Sequence, residues 1–526
     1  MEALDALEPP PPVMSPKHAQ ERFELLQERL EPLWHRIEAG NPETETIVVV
    51  PSMTLDLMQG SSTRMQPYEE RFLFLLLLLR QPLARVVYVT SQPILPNVVD
   101  YYLDLLPGVI PSHARPRLFL VPVLDGSPRP LTLKLLERPR LMERIRDLIP
   151  RQDRAHLVPY NTTEIERDLA VRLGIPMYGA DPRYFHFGTK TGCRQLFREE
   201  GVVHPFGTES LTCIDDVIDA IVELRSHRPD ITRALVKLNE GVSGEGNAHV
   251  DLTGVPAPGA PDERDRLRVA IETMEFEMAH ATYDDYVDKL TTRGAVLEER
   301  IEGRDFRSPS AQLRITPLGD IEIVSTHDQL LGGPTGQSYL GCLFPASPEY
   351  APAITREAQK VGERLAKEGV IGRFAIDFVV VRNDADEWDV YAIEINLRKG
   401  GTTHPFLTLQ FLTDGQYDPE AAKFIAPSGK AKYFIASDHI ESPYFRGLTP
   451  DDLFSIVVLH KLNFDASRQT GVVFHMMAAL TEDGHFGLTA VGDSPEEARD
   501  LYDKAVEMLL EDARESLSER PLPEVD

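Results

Sequence analysis

The chain is short of several things, and each shortage excludes a class of protein. It has three cysteines in 526 residues, Cys193, Cys213 and Cys342. They form no Cys-x-x-Cys pair and no zinc spacing, so neither a disulfide framework nor a zinc module organises the fold. An odd, sparse set fits a reducing compartment and buried, inert thiols. Basic charge is also short: 55 Lys plus Arg stand against 83 acids, for a formal net charge of -28. General nucleic-acid and anionic-membrane partners need a basic surface, so neither is expected. A bound nucleotide is still allowed, because it needs only a local pocket of cations. Long apolar runs are missing. The longest, Phe72 to Leu79, is far below the ~20 residues of a membrane span. The opening Met1-Glu-Ala-Leu-Asp-Ala-Leu-Glu is acidic and runs into Pro9 to Pro12, unlike a secretory leader. The cytoplasm is the expected location.

What remains is ordinary folded composition, 42% hydrophobic and 26% charged, with a length prior of roughly three to four domains. Residues 1–45 read as a tail, disordered to about Pro16, and a helix over His18 to Ala39 that stops at Gly40. Strands and helices then alternate. The strands are Thr46 to Val50, Arg85 to Thr90, Arg117 to Val123 and His156 to Pro159. The helices are Tyr68 to Arg80, Val98 to Leu106, Arg140 to Ile149 and Glu164 to Leu173. This predicts a Rossmann-like, doubly wound α/β domain over 46–188. Such sheets bind ligands at the carboxyl ends of their strands, where Ser52 lies; a plain turn is the other reading. Over 189–420 short strands mix with helices. Residues 430–526 read as a small α+β domain, closed by a helix that Ser494-Pro-Glu-Glu497 opens.

The densest chemistry lies in Tyr391-Ala-Ile-Glu394-Ile-Asn396-Leu-Arg398. Residues two apart on a strand share a face, so Glu394 and Asn396 project side by side from an apolar segment. Upstream, Gly372-Arg373-Phe-Ala-Ile-Asp377 puts a further carboxylate on a strand, and the turn Asn383 to Glu387 returns the chain antiparallel. Three hard oxygen donors on neighbouring strands suit Mg²⁺ held together with phosphates. Three further pieces precede them. Lys190 opens a helix, as a phosphate ligand or as a solvated lysine. Lys237 leads into Gly241-Val-Ser243-Gly244-Glu-Gly246, as a phosphate loop or as a glycine-rich hairpin. Glu298-Glu299-Arg-Ile301 runs from a strand into a linker facing an adenine edge, with Asp305 accepting from ribose, or else is a solvated edge.

The order decides between these readings. Lysine at a helix start, lysine before a glycine loop, Glu-Glu-x-x-x-Gly-x-Asp, then Asp and Glu-x-Asn on successive strands resembles the ATP-grasp superfamily over about Thr189 to Leu412. Lys237-Leu-Asn-Glu-Gly-Val-Ser-Gly-Glu-Gly-Asn, Gly332-Gly-Pro-Thr-Gly and Glu394-Ile-Asn-Leu-Arg-Lys-Gly-Gly-Thr-Thr-His404-Pro look like the pheganomycin-type peptide ligases. So do Val50-Pro-Ser52, Tyr88-Val-Thr-Ser91 and His475-Met-Met-Ala-Ala-Leu, which extend the likeness nearly end to end.

The resemblance implies an ATP-grasp domain of two α+β subdomains between the Rossmann-like domain and the C-terminal one. It implies an ATP-dependent carboxylate–amine ligase that forms an amide through an acyl phosphate and releases ADP and phosphate. A non-catalytic, ATP-binding regulatory protein on the same fold is the alternative. Lys190, Lys237 and the loop Gly241, Ser243, Gly244 and Gly246 would hold the phosphates. The backbone at Glu299 and Ile301, with Glu298 nearby, would read adenine, and Asp305 would hold ribose, although it is shorter than the glutamate often found there. Asp377, Glu394 and Asn396 would bind two Mg²⁺, with Mn²⁺ as a substitute. A tetrahedral intermediate needs a cation, and the candidates are Arg398, then Arg314, then Arg373. His404, Lys399, Gly333 and Ser52 are the positions assigned to amino-acid or peptide substrates, His404 with a plain loop histidine as the other reading. The flanking domains serve substrate recognition or the contacts of a homodimer.

Overall fold

The computed structural model describes residues 15–39, 44–54, 65–241, 246–277, 281–332, 336 and 338–518. Three sheets place the site. The first is a four-stranded parallel sheet in the order Leu118–Pro122, Ala84–Thr90, Glu45–Val50, Ala155–Pro159. Its two central strands, Ala84–Thr90 and Glu45–Val50, are valine-rich runs buried on both faces, as a sheet covered on two sides requires. The helix Glu164–Leu173 opens on a capping box between Thr163 and Glu166 and closes at Gly174, whose φ of 73° suits glycine. The Rossmann-like expectation is met here.

Two expected helices differ. His18 to Ala39 is divided into Pro16–Gln27 and Leu30–Glu38. The Tyr68 to Arg80 segment is a short α-helix, Met65–Glu70, followed by a ten-residue 3₁₀ stretch, Arg71–Arg80. Leucine and phenylalanine fill Phe72 to Leu79 on every side and almost all are buried, so no amphipathic stripe exists to set an α-helical period.

The second sheet has five antiparallel strands in the order Gly207–Leu211, Ala295–Glu299, Arg233–Leu238, Asn247–Asp251, Glu275–Phe276. Helices Ile214–His227, Glu263–Glu272 and Tyr283–Arg293 supply its core through Ile221, Leu267 and Leu290.

The third sheet has nine strands. It runs Arg304–Arg307, Gly372–Arg382, Pro309–Ile315, Ile321–Gly332, Ser338–Phe344, Tyr433–Glu441, His485–Gly492, Gly471–His475, with Trp388–Asn396 on the other edge of Gly372–Arg382. The C-terminal segment, expected to stand apart over 430–526, continues this sheet, because Tyr433–Glu441 pairs antiparallel with Ser338–Phe344. The helix Pro495–Ser518 packs on the extension through Ala505 and Leu509, and Ser494 Oγ accepts the Glu497 N–H at 3.1 Å. One apolar core runs from Val49 and Tyr88 of the parallel sheet through Phe344, Phe406 and Phe434 to Leu488.

Candidate active site

Asn383 makes the hairpin that brings the metal candidates together. Its side-chain oxygen accepts the N–H groups of Ala385 and Glu387, each at 3.0 Å, and its own N–H bonds the Glu387 carbonyl. In the register that follows, Asp377 faces Glu394 and Ala375 faces Asn396. The register shifts just beyond, so that Phe378 faces Ala392 and Ile393 is the extra residue. Asn396 Nδ2 donates to Asp377 Oδ2 at 2.8 Å and to Glu394 Oε1 at 3.2 Å, while Gln329 Nε2 donates to Asp377 Oδ1 at 3.0 Å. Burial raises the Asp377 carboxyl above its ordinary pKa.

Two lysines face this cluster. Lys190 is the first residue of helix Lys190–Glu199, which Thr189 caps by accepting the Gly192 N–H at 3.0 Å. Its ammonium pairs with the other oxygen of Glu394. Burial, with Lys237 nearby, pushes it down to about 8. Lys237 Nζ lies 2.6 Å from Glu298 Oε2, and Arg194 Nη1 lies 2.9 Å from Glu298 Oε1. Burial pushes the Glu298 carboxyl up, but these two cations more than reverse it and leave it below the ordinary value.

Lys190, Lys237, Glu298, Asp377, Glu394 and Asn396 all line one cavity of about 840 Å³, a size suited to a bound small molecule. Leu235 and Ile301 of the five-stranded body border it opposite residues of the nine-stranded sheet. Gly241 lines it too. Gly246, at φ 94°, needs glycine, and its carbonyl accepts the Tyr286 hydroxyl at 3.0 Å. Ser243, Gly244 and Gly333 lie outside the described residues.

Several expected roles are not supported by where the side chains go. Glu298 is the counter-ion of Lys237 and Arg194 rather than a group turned to a base. Glu299 sends its carboxylate to the Phe206 N–H and to Arg228, each at 2.9 Å, and its own N–H is taken by the Phe206 carbonyl, while Glu299 and Ile301 both border the cavity. Asp305 is exposed at φ 51°, and its carboxylate lies 3.5 Å from Arg382, away from the cavity lining. A register shift between Arg304 and Arg307 accompanies this outward turn.

Arg314 pairs with Glu322 at 2.9 and 2.7 Å and stacks over Trp34. Arg373 faces Arg314 in register, and burial pushes it down to about 10. Arg373 shares a face with Asp377, but four residues at about 3.3 Å each separate them by roughly 13 Å. Neither arginine lines the cavity. Lys399 donates to the Pro159 carbonyl at 2.6 Å and is pushed down to about 7 by burial, so it ties the parallel domain to the loop after the metal strand instead of reaching substrate. His404, on helix Thr403–Thr413, is buried off the cavity wall against Asp438 and His475, with burial pushing it down to about 3. Ser52 is buried with its hydroxyl accepting the Thr132 N–H, and the adjacent Met53 borders the cavity instead.

Arg398 does reach the cavity. Its guanidinium is 5.9 Å from the Tyr160 ring, and it has no carboxylate partner among the described residues. Sequence reasoning missed Arg194 and Arg71. The cluster Glu69-Glu70-Arg71 directly before eight apolar residues was the available signal for Arg71, since charges there cannot all remain hydrated.

Residues 184–266 and 261–420 match the IQCH-like ATP-grasp family model, and residues 452–505 match that of the PGM1 C-terminal domain. The chain is 29% identical to L-propargylglycine–L-glutamate ligase of Streptantibioticus cattleyicolor, over 90% of this chain and 96% of that one. It is 24% identical to IQ motif-containing protein H of Danio rerio over 77% of its length, and spans 42% of that larger relative. The biotin carboxylase domain of Hydrogenobacter thermophilus 2-oxoglutarate carboxylase, solved with MgADP, has a TM-score of 0.53 at 14% identity, covering 88% of this chain and 90% of that one. At that identity the likeness speaks to the fold alone. The lysines and oxygen donors converge inside the stretch that matches the ATP-grasp model, and the likeness to an amino-acid ligase runs across nearly the whole chain. The stretch 184–420 thus resembles an ATP-grasp domain, in a chain that is similar over most of its length to an amino-acid ligase.

Proposed function

We propose that the chain joins the carboxylate of one amino acid or peptide to the amine of another, through an acyl phosphate, with release of ADP and phosphate. One observation carries this reading: Asp377, Glu394 and Asn396 meet Lys190 and Lys237 in one cavity between the two antiparallel sheets. The relative named for joining propargylglycine to glutamate supports the substrate class.

The donor set fits Mg²⁺. It offers two carboxylates and an amide oxygen, and burial raises the Asp377 carboxyl, a cost that a bound cation would offset. Asp377, Glu394 and Asn396 would hold the metal, two ions with Mn²⁺ as a substitute, and its chemistry there is to neutralise phosphate charge. Lys190 exchanges Glu394 for phosphate. Lys237 stays charged and aimed because Glu298 holds it. The stretch Gly241, Ser243, Gly244 and Gly246 covers the phosphates, and the linker at Ile301 meets adenine.

A donor carboxylate oxygen attacks the γ-phosphorus, the β–γ bridging bond breaks, and ADP departs. The amine then attacks the acyl carbon, phosphate leaves with the bonding pair, and the amine proton passes to solvent. Arg398, in no ion pair among the described residues, faces the oxyanion of that step, a contact typically worth about 3–4 kcal/mol. A homodimer at work in the cytoplasm belongs to the same reading. The regulatory alternative is not favoured, because the phosphate and metal donors are all present.

The test is a coupled ADP-release screen over paired carboxylates and amines, with Asp377→Ala as control. ADP and phosphate release requiring both partners is the expected result. AMP release, or turnover with one partner alone, overturns the proposal.

A further inference from the structure

A further cation borders the same cavity from the parallel-sheet domain. Arg71, the first residue of Arg71–Arg80, lines it together with Tyr68 and Arg398. Its Nη2 lies 2.8 Å from Asp438 Oδ2. The other oxygen of Asp438 takes His475 Nε2 at 2.7 Å and lies 3.1 Å from His404 Nε2. Asp438 is 2% exposed; one oxygen is hydrogen-bonded by His475 and the other is held by the Arg71 ion pair. Against the effect of burial, Arg71 and then His404 and His475 hold it well below the usual carboxylate range. A guanidinium already on Asp438 also argues against reading the His404, Asp438 and His475 cluster as a cation site.

Asp438 thus anchors Arg71 by one edge. The Arg71 Nε has no hydrogen-bond partner among the described residues, although the residue is only 9% exposed. Leaving such a donor unmatched is costly unless something supplies an acceptor. Tyr160 links the neighbourhood. Its ring is 5.9 Å from the Arg398 guanidinium, and its hydroxyl acts electrostatically on Arg71. Arg71 therefore stands near Arg398. It lies on a different domain from Lys190, Lys237 and Asp377, where the triphosphate and the activated carboxylate are placed by the reading above. The side of the reacting carbonyl away from the phosphates is where the amine must arrive.

We propose that Arg71, anchored by Asp438 and close to Arg398 across Tyr160, binds the free carboxylate of the amine-bearing substrate, so that this substrate is an amino acid or peptide whose own carboxylate is not consumed. The inference rests on the ligase reading for the role of that substrate, but its test reads binding without turnover.

The experiment titrates the full chain with the twenty L-amino acids and their α-amides by calorimetry, in the presence of MgADP. Wild type should bind at least one amino acid, and its amide about 10-fold or more weakly. Arg71→Gln should weaken the acid by about 10- to 100-fold, to the level of the amide, while MgADP affinity is unchanged. Retained MgADP binding shows that the variant is folded. If it is lost, Arg71→Lys keeps the charge without the planar fork and should give an intermediate preference. Equal binding of acid and amide to wild type overturns the proposal. So does a ratio unmoved by Arg71→Gln, or failure of every free acid to bind. A failed ADP-release screen would remove the ligase reading and leave this binding result standing.

Discussion

Lys237 Nζ lies 2.6 Å from one oxygen of Glu298, and Arg194 holds the other oxygen at 2.9 Å, all three groups being buried. Removing the carboxylate leaves two buried cations facing a neutral amide. Glu298→Gln should therefore cost about 3–5 kcal/mol in urea unfolding. Lys237→Met leaves the Arg194–Glu298 pair in place, so it should fold, while its MgADP dissociation constant rises at least ~10-fold by calorimetry.

Asp377 is a buried carboxylate whose pKa is raised by that burial. Asp377→Asn relieves this cost and keeps a polar group beside Gln329 and Asn396. The metal-free variant should unfold at or above the wild-type temperature, while ADP release falls at least ~100-fold. Scanning calorimetry and the coupled assay check the two halves separately.

The arginines separate cleanly. Arg398→Ala should lower kcat/KM by about 10²–10³ if it faces the oxyanion. Arg314→Ala should leave ADP release within about twofold and cost about 0–1 kcal/mol, because it removes a partly exposed pair with Glu322.

Glu70 gives a pH signature. It is buried, accepts the Ala478 N–H at 2.8 Å, and burial raises it from 4.5 to about 8. Between those values the folded state carries the proton that the unfolded state has lost, so this group's contribution to stability falls as pH rises from about 4.5 to about 8 and is level above. Glu70→Gln keeps the acceptor and cannot ionise. Urea midpoints at pH 5 and pH 8.5 should show it gaining on wild type by up to a few kcal/mol at the higher pH.

The metal cluster was legible because its logic is local. Alternation put Glu394 and Asn396 on one face, and the Asn383 turn brought Asp377 beside them. The same parity misplaced Arg373 and Arg314, since it names a face but not a position along the strand. Asp305 failed through a bulge, and bulges leave little trace in a sequence. Glu298 was read for its neighbours in the chain, whereas its partners lie on another strand and another helix. Arg71 and the sheet extension depend on contacts between segments far apart in the chain, which no local period encodes.

The pairing of Ser338–Phe344 with Tyr433–Glu441 also limits how the gene can be cut. A fragment ending where the ATP-grasp match ends would present a bare row of amides and carbonyls beside Phe344, and would strip Phe344 of its stacked partner Phe434. Such a fragment should stick to copies of itself, so anyone hoping to carve a minimal catalyst from this chain must keep its tail.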